Sequence, residues 1–368
     1  MKNHSPRKAA NKTPTALGTG LLALDEVYGV DKSAPVRHWA GGTCGNVLIA
    51  LRYLGWTTKP VARLEPGDAT DLVLADLRRW GVSKEFIRVE PTGSTPIIVQ
   101  RITRSASGAL RHSFSWRCPD CGAPFSGYKP ELVTVAETLA PKAKKAQLFF
   151  FDRVSAGAIH LAQSAAEGGA LVVFEPCSIG NPILFRQAWE LAHIVKYSHE
   201  RLSDFPEMNV DSNPQLTIET LGDAGLRYRR WRPGQKPGAW IESQAIAVDG
   251  VKDTAGAGDW CTAGILSKVA RTGFSGFSKL TDSQISSAIR NGQALASWCC
   301  RFEGARGGMY EVSKEQFAAQ VKEILQGAPV QIPITRSKPS AASGSSGFCR
   351  QCDQAANVSA TRKAKKAR

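Results

Sequence analysis

The chain has 368 residues, of which 42% are hydrophobic and 21% are charged, and these proportions are ordinary for a globular enzyme. No run approaches the roughly 18 apolar residues that a membrane span needs. Residues 1–15 also lack the apolar core of a secretory signal. The composition therefore excludes a membrane protein, and we expect a cytoplasmic one.

The net charge of +15 lies mainly at the two ends of the chain. Residues 1–15 and 336–368 together carry 11 of the 15 net charges, which leaves the body nearly balanced. A balanced body with basic ends is not a basic binding face, so no specific nucleic-acid partner is expected. We predict disordered basic tails over residues 1–16 and 333–368, because the second of these is also rich in Pro, Ser, Ala and Gly.

The first part of the chain predicts two helices and a hairpin. Apolar residues at helical spacing mark the helices, and alternating β-prone residues mark the hairpin strands. In chain order we predict a strand over 17–24, a β-prone irregular stretch over 26–39, helices over 43–54 and 71–80, and hairpin strands over 96–103 and 110–116.

After residue 130 the predicted strands and helices alternate. The strands are expected over 147–151, 170–174 and 194–196, and the helices over 156–167 and 183–192. This alternation predicts βαβ units and a mainly parallel sheet. Ligands of such sheets bind where loops leave the carboxyl ends of the strands.

The segment 252–260 contains the sequence Gly256-Ala257-Gly258-Asp259, followed by a helix-like apolar run. Glycines let the backbone approach a ligand, and a helix N-terminus favours an anion. The carboxylate of Asp259 would repel a resting phosphate, but it could take the proton of a hydroxyl that attacks one. The pattern favours phosphoryl transfer to an alcohol, although a tight turn followed by a helix cap would show the same sequence pattern.

This segment resembles the C-terminal signature of the ribokinase-like carbohydrate kinases, the PfkB family. The signature matches at every fixed position, namely at Asp253, Thr254, Gly256, Ala257, Gly258 and Asp259. The N-terminal signature of the family is similar to Gly41-Gly42 with Asn46 and the apolar run 47–55, followed by Gly67-Asp68. The resemblance extends from about residue 17 to about residue 317.

The resemblance implies a three-layer α/β/α fold, with a mainly parallel central sheet and a small β lid. The kinase domain would span residues 17–332, with lid segments at about 26–40 and 94–117 and a Cys-x-x-Cys insertion at about 118–128. The activity implied is ATP-dependent phosphorylation of a hydroxyl on a sugar or a sugar-like substrate. A homodimer is also suggested, because the lids of the family often pair between subunits.

The resemblance also implies roles for individual residues. Asp259 would be the general base, and the anion hole would comprise Thr254, Gly256, Ala257 and Gly258. The substrate would be bound by Asp25, Gly41, Gly42 and Asn46. The nucleotide would be bound by Ser198, Thr220, Gly222 and Asn291.

The chain departs from the family where an Asn-x-x-Glu motif helps to organise magnesium. Ser198 stands in place of the Asn, Glu200 lies one residue early, and Arg201 occupies the position of the acid. Magnesium is still expected, because it neutralises the charge of the nucleotide phosphates. Glu200 is the candidate for the metal shell.

Two Cys-x-x-Cys pairs suggest a metal site. Cys118 and Cys121 form half of a zinc knuckle, with Gly122 after the second cysteine, and Cys349 and Cys352 could form the other half. We predict one structural zinc that holds the tail against the lid, a feature that ordinary members of the family lack. A redox-active pair or unrelated thiols are the alternatives.

Two other functions remain open from the sequence. A kinase of the same fold could act on a nucleoside or a sugar phosphate. A non-catalytic regulatory descendant could use the zinc site and the basic tails instead. The replaced magnesium acid favours that last interpretation, whereas the intact Gly-Ala-Gly-Asp segment opposes it.

Overall fold

A computed structural model describes residues 13–106, 108, 110–202, 214–328, 330, 348, 349, 351 and 352. The tail expected at 333–368 lies outside these residues apart from 348, 349, 351 and 352, and of the tail expected at 1–16 only 13–16 are described. Thr15 and Ala16 already belong to the first strand, so the N-terminal tail was predicted two residues too long. None of the helices within the described residues combines the length and the apolar character of a membrane span.

The larger of two sheets has nine strands in the order β13-β12-β11-β10-β9-β8-β1-β4-β5. Its strands pair in parallel except at β11–β12 and β12–β13, so the predicted mainly parallel sheet is confirmed. The strands are β1 Thr15–Thr19, β4 Thr57–Leu64, β5 Phe86–Val89, β8 Leu148–Phe151, β9 Leu171–Phe174, β10 Ile194–Ser198, β11 Leu216–Thr220, β12 Leu226–Arg230 and β13 Ile241–Ser243.

The smaller sheet has four strands in the order β3-β2-β6-β7. Its strands are β2 Ala23–Tyr28, β3 Arg37–Gly41, β6 Ile97–Arg104 and β7 Leu110–Ser115. β6 and β7 form the predicted antiparallel hairpin, and β2 pairs in parallel with β6. The small β lid expected beside the main sheet is therefore present.

The helices cover both faces of the large sheet. They are α1 Thr43–Tyr53, α2 Asp68–Arg79, α3 Val133–Ala143, α4 Ala156–Glu167, α5 Pro182–Leu191, α6 Ala257–Val269, α7 Gly273–Phe277, α8 Asp282–Cys299, α9 Gly307–Glu311 and α10 Lys314–Gln326. The pleat of strand β8 shows the layering, because Leu148 and Phe150 join the core under α1, α6 and α8, whereas Phe149 and Phe151 join the core under α3, α4 and α5. The predicted three layers are confirmed.

The single strand predicted over 17–24 is wrong. The chain leaves the large sheet after Thr19 and enters the small sheet at Ala23. Gly20 makes the turn with a φ of 141°, and a Cβ at this position would lie 1.7 Å from Oδ1 of Asp152. That carboxylate also accepts a hydrogen bond of 2.9 Å from the N–H of Leu21. The apolar run continues through the turn, so hydrophobicity alone did not reveal it.

Helices α6 and α8 pack with very little space between them. A Cβ on Gly292 would lie 2.7 Å from the carbonyl oxygen of Cys261 and 2.6 Å from Cγ1 of Ile265. A Cβ on Gly264 would lie 2.8 Å from Cα of Gly292. The close contact fixes α6, whose first turn carries Asp259.

We expect Gly292→Ala to destabilise the protein despite the higher helix propensity of alanine. The propensity gain is about 1 kcal/mol, whereas overpacking a tight contact costs about 1–3 kcal/mol, and here one of the contacted atoms belongs to the backbone. Urea unfolding measures the difference as a lower midpoint at an unchanged m-value. Ser287→Ala, on the exposed face of α8, is the matched control and should leave the midpoint almost unchanged; equal midpoints for both variants would contradict the packing argument.

Candidate active site

The predicted Gly-Ala-Gly turn lies at the start of helix α6. Gly256 is the N-cap residue with a φ of 75°, and a Cβ there would lie 2.6 Å from the backbone of Ala305. Only glycine avoids both the left-handed strain and this clash. The N–H of Ala257 donates to the carbonyl of Thr254 at 3.2 Å, so that one of the three expected anion-hole donors is already bonded within the turn. The first turn of the helix nevertheless points its remaining N–H groups outward.

Asp259 lies half-buried on this first turn. Burial raises the pKa of its carboxyl to about 8, and the negative charge of Glu175 acts in the same direction. The hydrogen bond from Asn46 and the cations of Lys196 and Arg201 lower it again. The carboxyl therefore exchanges its proton close to neutral pH, as a general acid or base needs to.

A buried network holds Asn46 against Asp259. Nδ2 of Asn46 donates to Oδ2 of Asp259 at 2.8 Å, and Nε of Arg306 donates to Oδ1 of Asn46 at 3.1 Å. Arg306 is 1% exposed and also donates to Oδ2 of Asp76 at 2.7 Å. Tyr310 completes the network by donating to the Asp76 carboxylate at 2.8 Å. The guanidinium thus fixes which end of the Asn46 amide faces Asp259.

A second buried ion pair, between Lys196 and Glu175, also acts on the carboxyl of Asp259. Nζ of Lys196 on β10 bonds to Oε1 of Glu175 at 2.5 Å. Thr262 on α6 donates to Oε2 of the same glutamate at 2.6 Å. Nζ of Lys196 also lies 3.8 Å from the position that a Cβ on Gly258 would occupy. The lysine therefore brings a positive charge to the glycine turn.

Asp253 joins the glycine turn to the lid. Its carboxylate accepts hydrogen bonds from the N–H of Ala255 at 3.0 Å and of Gly304 at 2.8 Å. Gln100 on β6 also donates to it, and Nδ1 of His112 on β7 lies 2.9 Å from it. Burial opposes the ionisation of Asp253, but these hydrogen bonds outweigh it and keep its pKa below the usual value.

The predicted substrate residues meet at the junction of β2, β3 and α1. Asp25 packs against Gly41, where a Cβ would lie 2.0 Å from its Oδ2. Burial raises the pKa of Asp25 to about 7, while the charge of Arg306 and the N–H of Gly42 lower it. Oδ1 of Asp25 is buried and has no hydrogen-bond partner among the described residues.

Three of the predicted nucleotide residues lie at the carboxyl edge of the sheet. Ser198 and Thr220 end the neighbouring strands β10 and β11 and pair in register, and Gly222 follows with a φ of 63°. Asn291 lies elsewhere, on α8, and its Nδ2 donates to the carbonyl of Gly264 at 2.9 Å. Glu200 is exposed and lies next to Gly222, with its Oε1 3.8 Å from the Cβ position of that glycine.

The four cysteines of the two Cys-x-x-Cys pairs also come together. The sulfur atoms of Cys118, Cys121, Cys349 and Cys352 all lie within 4.8 Å of one another. This cluster joins the segment after β7 to the described part of the C-terminal region. It is a second polar site, built from different elements than those around Asp259.

Sequence reasoning did not identify Arg306, Asp76 or the Lys196–Glu175 pair. Their partners lie far along the chain, with 260 positions between Asn46 and Arg306, so no local spacing connects them. A signal was present at Lys196, because a lysine within an apolar strand must be buried and paired.

No protein-family model matches this sequence, and no curated protein is significantly similar to it. Solved structures do match. A fructokinase from Xylella fastidiosa with bound ATP superposes with a TM-score of 0.60 at 19% identity, over 85% of this chain and 98% of that one. A ribokinase from Arabidopsis thaliana, complexed with ribose and ATP, gives a TM-score of 0.60 at 17% identity, over 85% and 99%.

A nucleoside kinase from Burkholderia thailandensis, in complex with inosine, matches with a TM-score of 0.56 at 20% identity, over 84% of this chain and 97% of that one. The three proteins are similar to this chain along almost their whole length. The chain therefore has the ribokinase-like α/β fold that the sequence predicted.

We expect Asp259→Asn to change the pH dependence of stability. The folded state raises the pKa of this carboxyl from 3.8 to about 8, so the folded protein holds the proton more tightly than the unfolded chain does. Between about pH 4 and about pH 8 the parent therefore loses stability as pH rises, and the loss is complete above the folded pKa.

Asparagine cannot ionise, so the variant should lack this contribution while it still accepts the bond from Asn46. Urea unfolding at about pH 5 and about pH 8.5 measures the difference in unfolding free energy between the variant and the parent. The variant should gain stability relative to the parent at the higher pH. The titration of Asp25 contributes equally to the stability of both proteins, so it cancels in the difference between them. An equal difference at the two pH values would show that the carboxyl titrates normally.

Proposed function

We propose that this protein is an ATP-dependent kinase that phosphorylates a hydroxyl group of a sugar or a sugar-like alcohol. The observation that carries the proposal is the position of Asp259, on the first turn of α6 directly after a glycine turn. Its raised pKa suits a group that accepts a proton near neutral pH. The fold shared with sugar and nucleoside kinases supports the same reaction.

In the proposed mechanism, Asp259 accepts the proton of the attacking hydroxyl. The hydrogen bond from Asn46 holds the carboxylate in one orientation, so that one oxygen remains directed at the acceptor. Positioning of this kind lowers the entropy cost of the reaction. The proton moves to the carboxyl group of Asp259, and the hydroxyl oxygen forms the new bond to the terminal phosphorus of ATP. The bond from that phosphorus to the bridging oxygen of the β-phosphate breaks, and ADP leaves with that oxygen.

The acceptor would be bound on the lid side by Asp25, Gly41, Gly42 and Asn46. The unpartnered Oδ1 of Asp25 is an acceptor that a substrate hydroxyl can satisfy, and a buried polar atom without a partner is costly otherwise. Gly41 leaves room for the Asp25 carboxylate itself, because a Cβ there would lie 2.0 Å from Oδ2. A neutral, hydroxyl-rich molecule fits these groups.

The transferred phosphoryl group would lie at the N-terminus of α6. The N–H groups of Gly256 and Gly258, with Thr254 beside them, would stabilise its charge, as the start of a helix does for anions. Lys196 and Arg201 add positive charge near Asp259. Ala257 would contribute through its position in the turn, because its N–H is bonded to Thr254.

The nucleotide would occupy the carboxyl edge of β10 and β11, where Ser198, Thr220 and Gly222 lie. Asn291 would act one layer away, by holding α8 to α6. When bound, magnesium would neutralise charge on the ATP phosphates. An exposed carboxylate is a suitable oxygen ligand for it, and Glu200 offers one beside Gly222.

The direct test is turnover of Asp259→Asn. A panel of sugars, sugar phosphates and nucleosides, with ATP and magnesium, first identifies the acceptor through ADP formation. On that acceptor the variant should lose a factor of about 10²–10⁴ in kcat, because the proton acceptor is gone.

Asp71→Asn, an exposed acid on α2, is the matched control and should keep parental turnover. Full activity of Asp259→Asn would exclude this residue as the base. If none of the acceptors in the panel leads to ADP formation, the non-catalytic interpretation is favoured instead.

The pH profile provides a second test. If Asp259 must be ionised to accept a proton, kcat/KM for the acceptor should rise with pH and level off above a pKa of about 8. Because the cation of Arg201 lowers the pKa of this carboxyl, Arg201→Gln should move the rising limb to higher pH.

Arg78→Gln removes an exposed arginine on α2 and should leave the limb in place. The initial rate of ADP formation at saturating ATP, measured across pH for the three proteins, provides the comparison. A limb that moves to lower pH in Arg201→Gln, or a parental limb that lies below about pH 5, would disconnect the profile from Asp259.

A further inference from the structure

Two short segments far apart in the sequence bring four thiols together next to the lid. Cys118 and Cys121 belong to the turn that follows β7, and Cys349 and Cys352 belong to a described segment near the C-terminus. The sulfurs of Cys118 and Cys352 are 3.8 Å apart, and those of Cys121 and Cys349 are 3.5 Å apart. All four sulfurs lie within 4.8 Å of one another.

These distances fit a metal ion better than disulfides. A disulfide places its sulfur atoms about 2.05 Å apart. Four thiolates at about 2.3 Å from one tetrahedral zinc ion lie about 3.8 Å from one another. We propose that the four cysteines bind one structural Zn²⁺, which holds Cys349 and Cys352 against the turn after β7.

The backbone of the first pair is shaped for this role. The N–H of Gly122 donates to the carbonyl of Cys118 at 3.0 Å, and the N–H of Cys118 donates to the carbonyl of Ala123 at 2.8 Å. Gly122 has a φ of 73°, a conformation that glycine adopts without strain. These backbone hydrogen bonds close the turn that carries Cys118 and Cys121.

The surroundings indicate a closed structural site. Cys118 and Cys349 are each 3% exposed, and they pack with Ala123 and the ring of Phe125. The four thiolates supply a complete tetrahedral set, so no coordination position remains for a substrate. The ion would therefore stabilise the protein and take no part in phosphoryl transfer.

The site ties the C-terminal segment to the lid. The ring of Phe348 meets the ring of His38, on lid strand β3, edge-on at 5.3 Å. Phe348 and Cys349 also line a cavity of about 330 Å³, together with Gly67 and Asp68. Short terminal segments stay ordered only when something holds them down, and the metal ion supplies that connection.

Metal analysis of the purified full chain tests the proposal without any assay of activity. The protein is prepared without added metal, and its zinc content is measured by mass spectrometry of the dissolved ion. We expect about one zinc per chain, and well under half of this in Cys352→Ser. Cys177→Ser, a half-buried thiol outside the cluster, is the matched control and should keep the parental content.

Hydrogen exchange provides the second measurement. In the parent, chelation of the ion should greatly speed exchange of the amides at 349, 351 and 352, and Cys352→Ser should show this fast exchange without chelation. Exchange in the α6–α8 core should stay the same, which separates loss of the metal from unfolding.

Three results would overturn the proposal. The first is a parent without metal whose intact mass is four hydrogens lighter than that of the reduced chain, which would indicate two disulfides. The second is iron in place of zinc. The third is a zinc content that Cys352→Ser leaves unchanged. None of these depends on whether the protein is a kinase.

Discussion

The geometry of the site depends on a single buried cation, the guanidinium of Arg306. It bonds to the Asp76 carboxylate, the Ala40 carbonyl and the amide oxygen of Asn46, and so connects α2, β3 and α1 at one point. Because the amide oxygen of Asn46 is occupied by the arginine, its nitrogen must face Asp259. A buried ion pair of this kind contributes little net stability; its contribution here is orientation.

The lid is fixed to the same point, and this explains how two sheets can form one site. Trp39 on β3 stacks on Tyr310 at 4.5 Å, and Tyr310 bonds to Asp76. At the start of the glycine turn, Asp253 bonds to Gln100 and lies against His112 of the lid hairpin. Side chains of the lid therefore contact the segment that carries the glycine turn, and a movement of one changes the position of the other. A substrate bound between the glycine turn and the lid would therefore affect the position of both.

Local patterns predicted most of the elements, because helices such as α1 and α4 and strands such as β8 and β9 are encoded in the spacing of their own apolar residues. The glycine turn before Asp259 was also predictable, since a φ of 75° beside the Ala305 backbone admits only glycine. What the sequence did not reveal were contacts between distant segments. Arg306, the Lys196–Glu175 pair and the turn at Gly20 each depend on a partner more than 20 positions away.

The replacement of the expected magnesium acid by Arg201 has a consistent electrostatic consequence. Burial and the negative charge of Glu175 raise the pKa of the Asp259 carboxyl, whereas the hydrogen bond from Asn46 and the cation of Lys196 lower it. Arg201 adds a further cation that lowers this pKa. An acid at position 201 would act in the opposite direction and keep Asp259 protonated to still higher pH. On the proposed function, this arginine keeps the base in its ionised form, which is the form that accepts a proton, over a wider pH range.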